Sequence, residues 1–247
     1  MDRLIHTALG GLRGAMARQS VTANNVANAN TVGFRAEMTA ARTMWVTGQN
    51  MAPRPFNAGE TSSADMRGGT VNQTGRDLDV ALNGDALLAV QAEDGSEAYT
   101  RRGDLQVSAS GLVTTGDGRP VLGESGPLTL PPADSVRIAD DGMVWIVPTG
   151  GDPNTPQQVD RLKLVTPAGS QIQRGEDSLF RVANGGALPS DPAARLTPRS
   201  LESSNVQVSQ ALIDMIDASR AWDTQLNLVT SARDLDTSAA DLMRLPS

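Results

Sequence analysis

Residues 20–37, "SVTANNVANANTVGFRAE", contain four asparagines in a short space, directly after a segment with helical periodicity and directly before a Gly-Phe pair. The four are Asn24, Asn25, Asn28 and Asn30. Asparagine is a mediocre helix former, because its amide competes for local backbone hydrogen bonds, yet it tolerates left-handed backbone and can cap a helix. The stretch therefore predicts a specialised helix end that is followed by a turn at Gly33.

An apolar stripe precedes this stretch and runs through residues 2–28 in alternating steps of four and three. Its members are Ile5, Leu9, Leu12, Met16, Ala23 and Val26, with Gln19 in the one polar slot. Heptad spacing of this kind predicts a helix that packs along another helix. Gly10, Gly11 and Gly14 lie inside the helix, and each costs about 1 kcal/mol relative to alanine. We therefore expect this helix to depend on a partner for its stability.

A second long helix is predicted near the other end, where residues 202–243 contain neither proline nor glycine. Its stripe has the same steps and consists of Val208, Leu212, Met215, Ser219, Trp222, Leu226 and Val229. Because each helix needs an apolar partner, we expect the two to pair like a coiled coil, at one end of an elongated molecule. Trp222 fits two interpretations equally well, a core residue between the helices or an anchor for another subunit.

Between the predicted helices the sequence has the texture of a β-domain. Short apolar or alternating runs are cut by turn dipeptides such as Asp94-Gly95, Asp117-Gly118 and Asp141-Gly142, which are typical of hairpins. The predicted fold class is α+β, with an inserted all-β, hairpin-rich domain. The predicted boundaries are 1–35 for the first helix and its asparagine signature, 36–69 for an irregular connector broken by Pro53 and Pro55, 70–190 for the β-domain, and 191–247 for the second helix.

Composition excludes several classes of function. The formal net charge of −7 disfavours binding to nucleic acid or to an anionic membrane, because both require a basic surface. Cysteine is absent, which removes disulfides, thiolate nucleophiles and cysteine-ligated zinc. No apolar run approaches the roughly 20 residues of a membrane span, and no secretory signal is recognisable at the start. We expect a chain that stays in the cytoplasm or leaves it without a cleaved signal peptide.

Candidate catalytic and ligand sites are weak. His6, Lys163 and Tyr99 are the only residues of their types. The acidic pairs Asp77/Asp79 and Asp140/Asp141 lack the further oxygen ligands of a calcium loop, and the glycine-rich residues 116–127 lack the Lys-Ser or Lys-Thr of a phosphate loop. Hairpin turns explain both acidic pairs and the glycine-rich segment. We expect no enzyme activity, no metal and no cofactor.

The two ends of the chain resemble the terminal signatures of flagellar rod, hook and hook-associated proteins. "TANNVANANTVGFRAE" is similar to the N-terminal signature, and "LESSNVQVSQALIDMIDASRAWDTQLNLV" is similar to the C-terminal one. The C-terminal signature has an Arg-Ala-aromatic triplet, here Arg220-Ala221-Trp222, with Trp where Tyr or Phe is usual. "TGRDLDVALNG" and "YTRRGDLQVSASGLVTTGDGRPVLG" look like the β-domain of the same family, although residues 85–88 depart from its usual Gly-Phe-Phe. The chain length and the absence of a longer acidic insert after the first signature favour a proximal rod member over a distal one.

The resemblance implies a structural subunit of the basal-body rod, located in the periplasm and exported by the flagellar type III apparatus. It implies that other rod proteins are its partners and that Asn24, Asn25 and Asn28 bridge to neighbouring subunits. The implied assembly residues are Ile5, Leu9, Leu12, Met16, Asn24, Asn25, Asn28, Gly33, Phe34, Asn205, Val208, Leu212, Met215, Arg220, Trp222 and Leu226. Two alternatives stay open: a distal rod protein of the same family, and a secreted carbohydrate-binding β-protein.

Overall fold

The computed structural model of the chain describes residues 2–48, 51–175 and 177–243. The chain divides into two compact units, which we call the helical unit and the β unit. The helical unit combines Met1–Asn28, Glu37–Ser63 and Val206–Ser247. The β unit combines Ala29–Ala36 with Ala64–Asn205. Both units are therefore assembled from segments that are distant in the sequence.

The helical unit contains the two predicted helices, α1 (Asp2–Ala27) and α2 (Val208–Met243), which pack against each other. It also contains β1 (Glu37–Gly48) and β2 (Met51–Ala64), which form a two-stranded sheet, and β1 contacts α1. Neither described helix has a stretch long and apolar enough to cross a lipid bilayer.

The strands β1 and β2 occupy the interval for which the sequence predicts an irregular connector. Pro53 and Pro55 suggested that interpretation, yet both lie inside β2. A proline cannot donate a ladder hydrogen bond, but both strands of a two-stranded sheet are edge strands, and edge strands accommodate proline. The prolines therefore do not prevent strand formation here.

The contact between the helices combines alanine and glycine with larger side chains. On α2 the buried and half-buried positions recur in steps of four and three: Ala211, Met215, Ala218, Trp222, Gln225, Val229 and Ala232. On α1 the buried positions are Ala8, Gly14 and Ala15. Small side chains let two helix backbones approach closely at these positions. Met215, Trp222 and Val229 are half-buried in the same series, whereas Leu212 and Leu226 are exposed.

In the part of the β unit that the structure describes, there are sixteen short strands. In chain order they are β3 (Val71–Gln73), β4 (Val80–Leu82), β5 (Leu87–Gln91), β6 (Glu97–Thr100), β7 (Leu105–Val107), β8 (Val113–Thr115), β9 (Leu122–Gly123), β10 (Gly126–Pro127), β11 (Ala133–Ile138), β12 (Met143–Pro148), β13 (Gln157–Arg161), β14 (Leu164–Val165), β15 (Ile172–Arg174), β16 (Phe180–Val182), β17 (Leu196–Pro198) and β18 (Ser200–Glu202). Most are joined by hairpins, and the turn residues Gly95, Gly118 and Gly142 have positive φ angles, as their sequence predicted.

The larger sheets are a five-stranded one in the order β14-β5-β6-β16-β15 and a three-stranded one in the order β11-β12-β13. The described residues of the β unit form two buried apolar clusters. The larger includes Val80, Leu88, Leu105, Val121 and Leu162, and the smaller surrounds Leu87, Tyr99 and Phe180. The core is thus built from aliphatic side chains with few aromatics, as the composition indicates.

The second predicted helix begins later than expected. Residues 191–205 do not join it, because β17 pairs with β4 and β18 pairs with β3. The pairs Leu201↔Asn72 and Glu202↔Val71 place the start of the C-terminal signature in the β unit. The β unit also extends to residues 29–36, so both terminal signatures contribute to it.

Tyr99 is the only tyrosine, so the ionisation of its phenol reports on the β core without overlap from another tyrosine. Its hydroxyl donates to Glu97 Oε1 at 2.9 Å and accepts from the Leu188 N–H at 2.6 Å. Burial raises the pKa of Tyr99 to about 12, and Glu97 acts in the same direction, while the Leu188 N–H opposes them.

In an ultraviolet pH titration, the folded protein should therefore reach half of its phenolate absorbance only at about pH 12. The same chain in denaturant should titrate near pH 10, roughly the ordinary value for tyrosine. Phenolate that formed near pH 10 while the circular dichroism stayed native would contradict the buried position of the hydroxyl.

Candidate assembly interface

Several large apolar side chains on both helices are exposed. On α1, Leu9 and Met16 are 41% and 56% exposed. On α2 the exposed apolar residues are Val208, Leu212, Ile213, Ile216, Leu226, Leu228 and Leu235. Exposed apolar surface in contiguous rows is typical of a surface that binds another protein. We call Leu9 and Met16, together with Val208, Leu212, Ile216 and Leu226, the apolar rows.

The predicted stripes are divided by the structure between two surfaces. One surface is the contact between α1 and α2. Its half-buried positions include Met215, Trp222 and Val229 on α2 and Leu12 and Val26 on α1. Leu9, Met16, Leu212 and Leu226 lie in the exposed apolar rows instead. The side chain of Ile5 lies outside the described residues. Trp222 is half-buried within one chain and retains exposed surface. It therefore fits both interpretations, a core residue between the helices and an anchor for another subunit.

The asparagine cluster joins the end of α1 to the start of β1. The Asn25 amide donates to the Glu37 carbonyl at 2.8 Å and accepts from the Glu37 N–H at 2.8 Å, as a paired strand residue would. Asn24 donates to the Glu37 carboxylate at 3.1 Å. Asn28 donates to the Asn24 side-chain oxygen at 2.7 Å and to its carbonyl at 3.0 Å. These amides therefore have partners within the chain, a use that the sequence does not reveal, and bridging to neighbouring subunits stays a prediction.

Gly33 lies in the β unit at a position that only glycine fits. Its φ is 67°, in the left-handed region. A Cβ atom here would collide with the backbone carbonyl of Arg101. The Gly33 N–H donates to the Glu202 carbonyl at 2.7 Å, which ties the N-terminal signature to the C-terminal one.

Phe34 follows Gly33 and is 5% exposed. The guanidinium of Arg174 lies 4.2 Å from the centre of its ring, a cation–π contact. The same guanidinium donates to the Arg35 carbonyl at 2.9 Å. Phe34 is therefore packed inside the β unit, and its contribution to assembly would be to hold the turn in place.

Asn205, at the end of the β unit, connects three backbone segments. Its side-chain oxygen accepts from the Ala36 N–H at 2.6 Å, and its amide donates to the carbonyls of Asp65 and Arg67, both at 2.9 Å. One side chain thus satisfies three backbone groups from both flanks of β1 and β2. Its place in the C-terminal signature follows from this bridging role.

Glu202, Arg35 and Arg101 form a buried ionic group, which we call the clasp. Their exposed fractions are 2%, 1% and 3%. Arg101 donates to Glu202 Oε2 from Nε at 2.9 Å and from Nη2 at 2.6 Å. Arg35 Nη1 lies 2.7 Å from Glu202 Oε1, and that oxygen also accepts from the Gly69 N–H at 2.8 Å. The clasp joins the N-terminal signature, the β-domain and the C-terminal signature.

Backbone carbonyls complete the clasp. Arg101 also donates to the carbonyls of Leu82, Gly84 and Ala86 at 2.6–2.8 Å. Burial alone would raise the pKa of Glu202, but Arg35 and Arg101 outweigh burial and lower it below its ordinary value. Glu202 is therefore ionised at neutral pH. The sequence-based prediction missed all three residues, although Arg35 and Glu202 lie inside the "GFRAE" and "LESSN" signatures.

Arg220 of the Arg-Ala-Trp triplet lies on the surface of α2, with its side chain 79% exposed and 4.0 Å from the Asp217 carboxylate. A pair this exposed contributes little to stability. Among the described residues, no group of three or more histidines or acidic residues is close enough to hold a metal ion.

Comparison with known families matches the chain in three places. The model for the family described as "Flagella basal body rod protein" matches residues 5–35, that for the "Flagellar hook protein FlgE/F/G D1 domain" residues 81–146, and that for the "Flagellar basal body rod FlgEFG protein C-terminal" residues 198–242. The chain is 41% identical to the flagellar basal-body rod protein FlgF of Salmonella typhimurium, over 99% of this chain and 100% of that one. The chain belongs to the flagellar basal-body rod protein family.

Other rod proteins are similar over the whole length as well. FlgF of Escherichia coli is 41% identical over 99% of this chain and all of its own. The rod protein FlgG of Bacillus subtilis is 28% identical, again over 99% of this chain and all of its own. The resemblance of the terminal signatures to rod proteins is thereby confirmed, and the first family match ends at Arg35 of the clasp while the last includes Glu202.

Proposed function

We propose that this chain is a structural subunit of the bacterial flagellar basal-body rod, in the proximal part of that shaft. The observation that carries the proposal is the 41% identity to FlgF over nearly the whole chain, against 28% to FlgG. The three family matches fall on both helices and on part of the β unit. Because the proposed subunit is purely structural, we expect it to serve motility and to have no enzyme activity.

The exposed apolar rows suggest how such a subunit assembles. The small residues between α1 and α2 support a coiled-coil-like pair within one chain, while the rows remain available for helices of neighbouring subunits. Burying an exposed leucine or methionine at such a contact contributes about 1.5–3 kcal/mol. Repeated side by side, these contacts would form a stiff tube that transmits torque and encloses an export channel. The neighbours would be further copies and other rod proteins.

The proposed location is the periplasmic part of the basal body, reached through the flagellar type III export apparatus without a cleaved signal peptide. The two-part architecture is compatible with passage in an unfolded form, because neither unit contains a disulfide. Each unit is built from distant segments, so neither unit can form until segments from both ends of the chain are present.

Electron microscopy of basal bodies from a strain that lacks this chain tests the proposal. Structures that stop at the inner-membrane ring, without distal rod or hook, would support a proximal rod subunit. Basal bodies with a partial rod would favour a distal position. Complete basal bodies with filaments would refute a role in building the rod.

A substitution in the α2 row separates assembly from folding. Leu212 is 47% exposed, so Leu212→Asp should abolish swimming without unfolding the chain, since a carboxylate cannot be buried in an apolar contact. Met215→Asp should do the same but also weaken the α1 contact, because Met215 is half-buried. Swimming is measured in soft agar, and the fold of the β unit by the ultraviolet pH titration of Tyr99, whose phenolate absorbance is its own signal.

The matched control is Leu212→Met, which keeps the apolar area and should swim normally. Normal swimming of Leu212→Asp would show that the row is not an assembly surface. Loss of the raised Tyr99 pKa in that variant would show that Leu212 supports the fold instead.

A further inference from the structure

We propose that neighbouring copies of this chain bind side by side, the outer face of α1 in one copy against the outer face of α2 in the next, with Arg13 and Asp223 paired across the contact. The inference rests on the proposed function as a rod subunit, and it names the surface that a second copy occupies. It follows from the position of these two residues on the helix pair.

Arg13 and Asp223 lie on opposite outer sides of the pair. Gly11 faces α2, because a Cβ atom there would lie 2.8 Å from Cδ of Gln225. Two residues along a helix correspond to a rotation of about 200°, so Arg13 lies on the side of α1 away from α2. By the same rotation Asp223 lies on the side of α2 away from α1. Both are exposed, and within one copy they cannot reach each other.

The two residues also lie at the same height along the pair. Ala211 is buried, and more residues separate it from Gln225 than separate the start of α1 from Gly11. In a parallel pair, Ala211 would therefore have no α1 residue beside it. An antiparallel pair places Ala211 beside Asn25. In that arrangement the residue two after Gly11 is level with the residue two before Gln225. Copies repeated side by side without a large axial shift therefore bring Arg13 next to Asp223 of a neighbour.

Charge favours this pairing of faces over the alternatives. Helix α1 contains three arginines and one aspartate, whereas α2 contains six aspartates and two arginines. At the level of the proposed pair, α1 against α1 would bring Arg13 next to Arg13 and α2 against α2 would bring Asp223 next to Asp223, while α1 against α2 brings Arg13 next to Asp223. A surface ion pair adds little affinity but selects which faces meet.

The apolar rows lie beside these charges and supply the contact area. About 100° per residue places Leu9 and Met16 next to Arg13 on α1, and Leu212 and Leu226 next to Asp223 on α2. The two faces differ from each other, so one copy offers one face to each of two neighbours. Such a heterologous contact continues from copy to copy, which is the arrangement that a tube requires. The occupant is therefore a second copy of this chain.

Charge reversal tests the proposal in the full-length protein. Arg13→Asp and Asp223→Arg should each abolish or strongly reduce swimming, and the double variant should restore most of it, because the reversed pair attracts again. Both single variants should keep native circular dichroism, since neither side chain packs within the chain. Arg137→Asp, exposed on β11 of the β unit, makes the same change in net charge and should swim normally.

Cross-linking identifies the partner directly, because the chain contains no cysteine. Isolated basal bodies that carry both Arg13→Cys and Asp223→Cys should give dimers and larger products of this chain with a bis-maleimide. The pair Arg13→Cys and Arg137→Cys is the control and should give none.

Swimming of both single reversals, failure of the double reversal to restore swimming, or cross-linking of Arg13→Cys to a different rod protein would each overturn the contact between copies. A strain without the chain that still builds complete basal bodies would instead refute the proposed function. The two failures are therefore distinguishable.

Discussion

Replacing Glu202 with alanine should strongly destabilise the β unit. The substitution leaves Arg35 and Arg101 buried without their shared carboxylate and leaves the Gly69 N–H without its acceptor. Removal of one partner from a buried ion pair typically costs about 3–5 kcal/mol. That is a large part of the stability of an ordinary domain, which is about 5–15 kcal/mol.

Urea unfolding followed by near-ultraviolet circular dichroism measures this loss, because Tyr99 and Trp145 of the β unit both contribute to that signal. Glu124→Gln is a matched control, since Glu124 is about half exposed and lies 3.8 Å from Arg161. It should change the free energy of unfolding by less than about 0.5 kcal/mol. Equal effects of the two substitutions would show that the clasp contributes no more than a surface pair.

The clasp also predicts the direction of a pH effect. The pKa of Glu202 is lowered in the folded state, so its contribution is complete above the unfolded pKa, about 4.5, and is lost as the pH falls through the lower folded value. The wild-type β unit should therefore lose stability in mild acid more steeply than Glu202→Gln does. Parallel pH profiles for the two proteins would contradict the ionised state of Glu202.

Substitution of Gly33 by alanine should have an effect of similar size for a different reason. A side chain at this φ of 67° is strained by about 1–2 kcal/mol, and its Cβ atom would also collide with the Arg101 carbonyl. Because that carbonyl belongs to backbone next to the clasp, relief of the collision would move Arg101 as well. We expect a total cost of at least about 3 kcal/mol and loss of swimming.

Gly118→Ala separates the two causes in the same unfolding experiment. Gly118 has a φ of 86°, but no atom lies within 4 Å of where its Cβ would be. This variant should show the strain alone, about 1–2 kcal/mol, and should still swim. If Gly33→Ala cost no more than Gly118→Ala, the close approach of Gly33 to Arg101 would have no energetic consequence.

Local patterns predicted local structure well. The helices α1 and α2 and the glycine turns of the hairpins lie where periodicity and turn dipeptides indicated. Of the predicted α2 stripe, Met215, Trp222 and Val229 are half-buried, whereas Leu212 and Leu226 are exposed, and the role of the stripe in assembly stays a prediction. The pattern missed Ala211 and Ala218, because a search for large apolar residues selects Leu212 in preference to the alanine beside it, although alanine permits the closer approach.

Long-range features escaped prediction for physical reasons. The connector prediction was wrong because Pro53 and Pro55 are permitted in an edge strand. The boundary before α2 was placed too early because β18 is defined by pairing with β3, far away in the sequence. The clasp has no periodicity at all: Arg101 and Glu202 are 101 residues apart, and only the fold reveals that they meet.

Because Glu202 comes late in the sequence, the clasp can form only in a chain that includes most of its residues. A chain that is cut short before residue 200, by premature termination or by proteolysis, retains Arg35 and Arg101 but lacks the carboxylate that satisfies them. We expect such a fragment to leave its β unit open and to be degraded, whereas a chain that reaches Asn205 can close it. Damaged subunits would thereby be removed before they could enter the shaft and leave a gap in it.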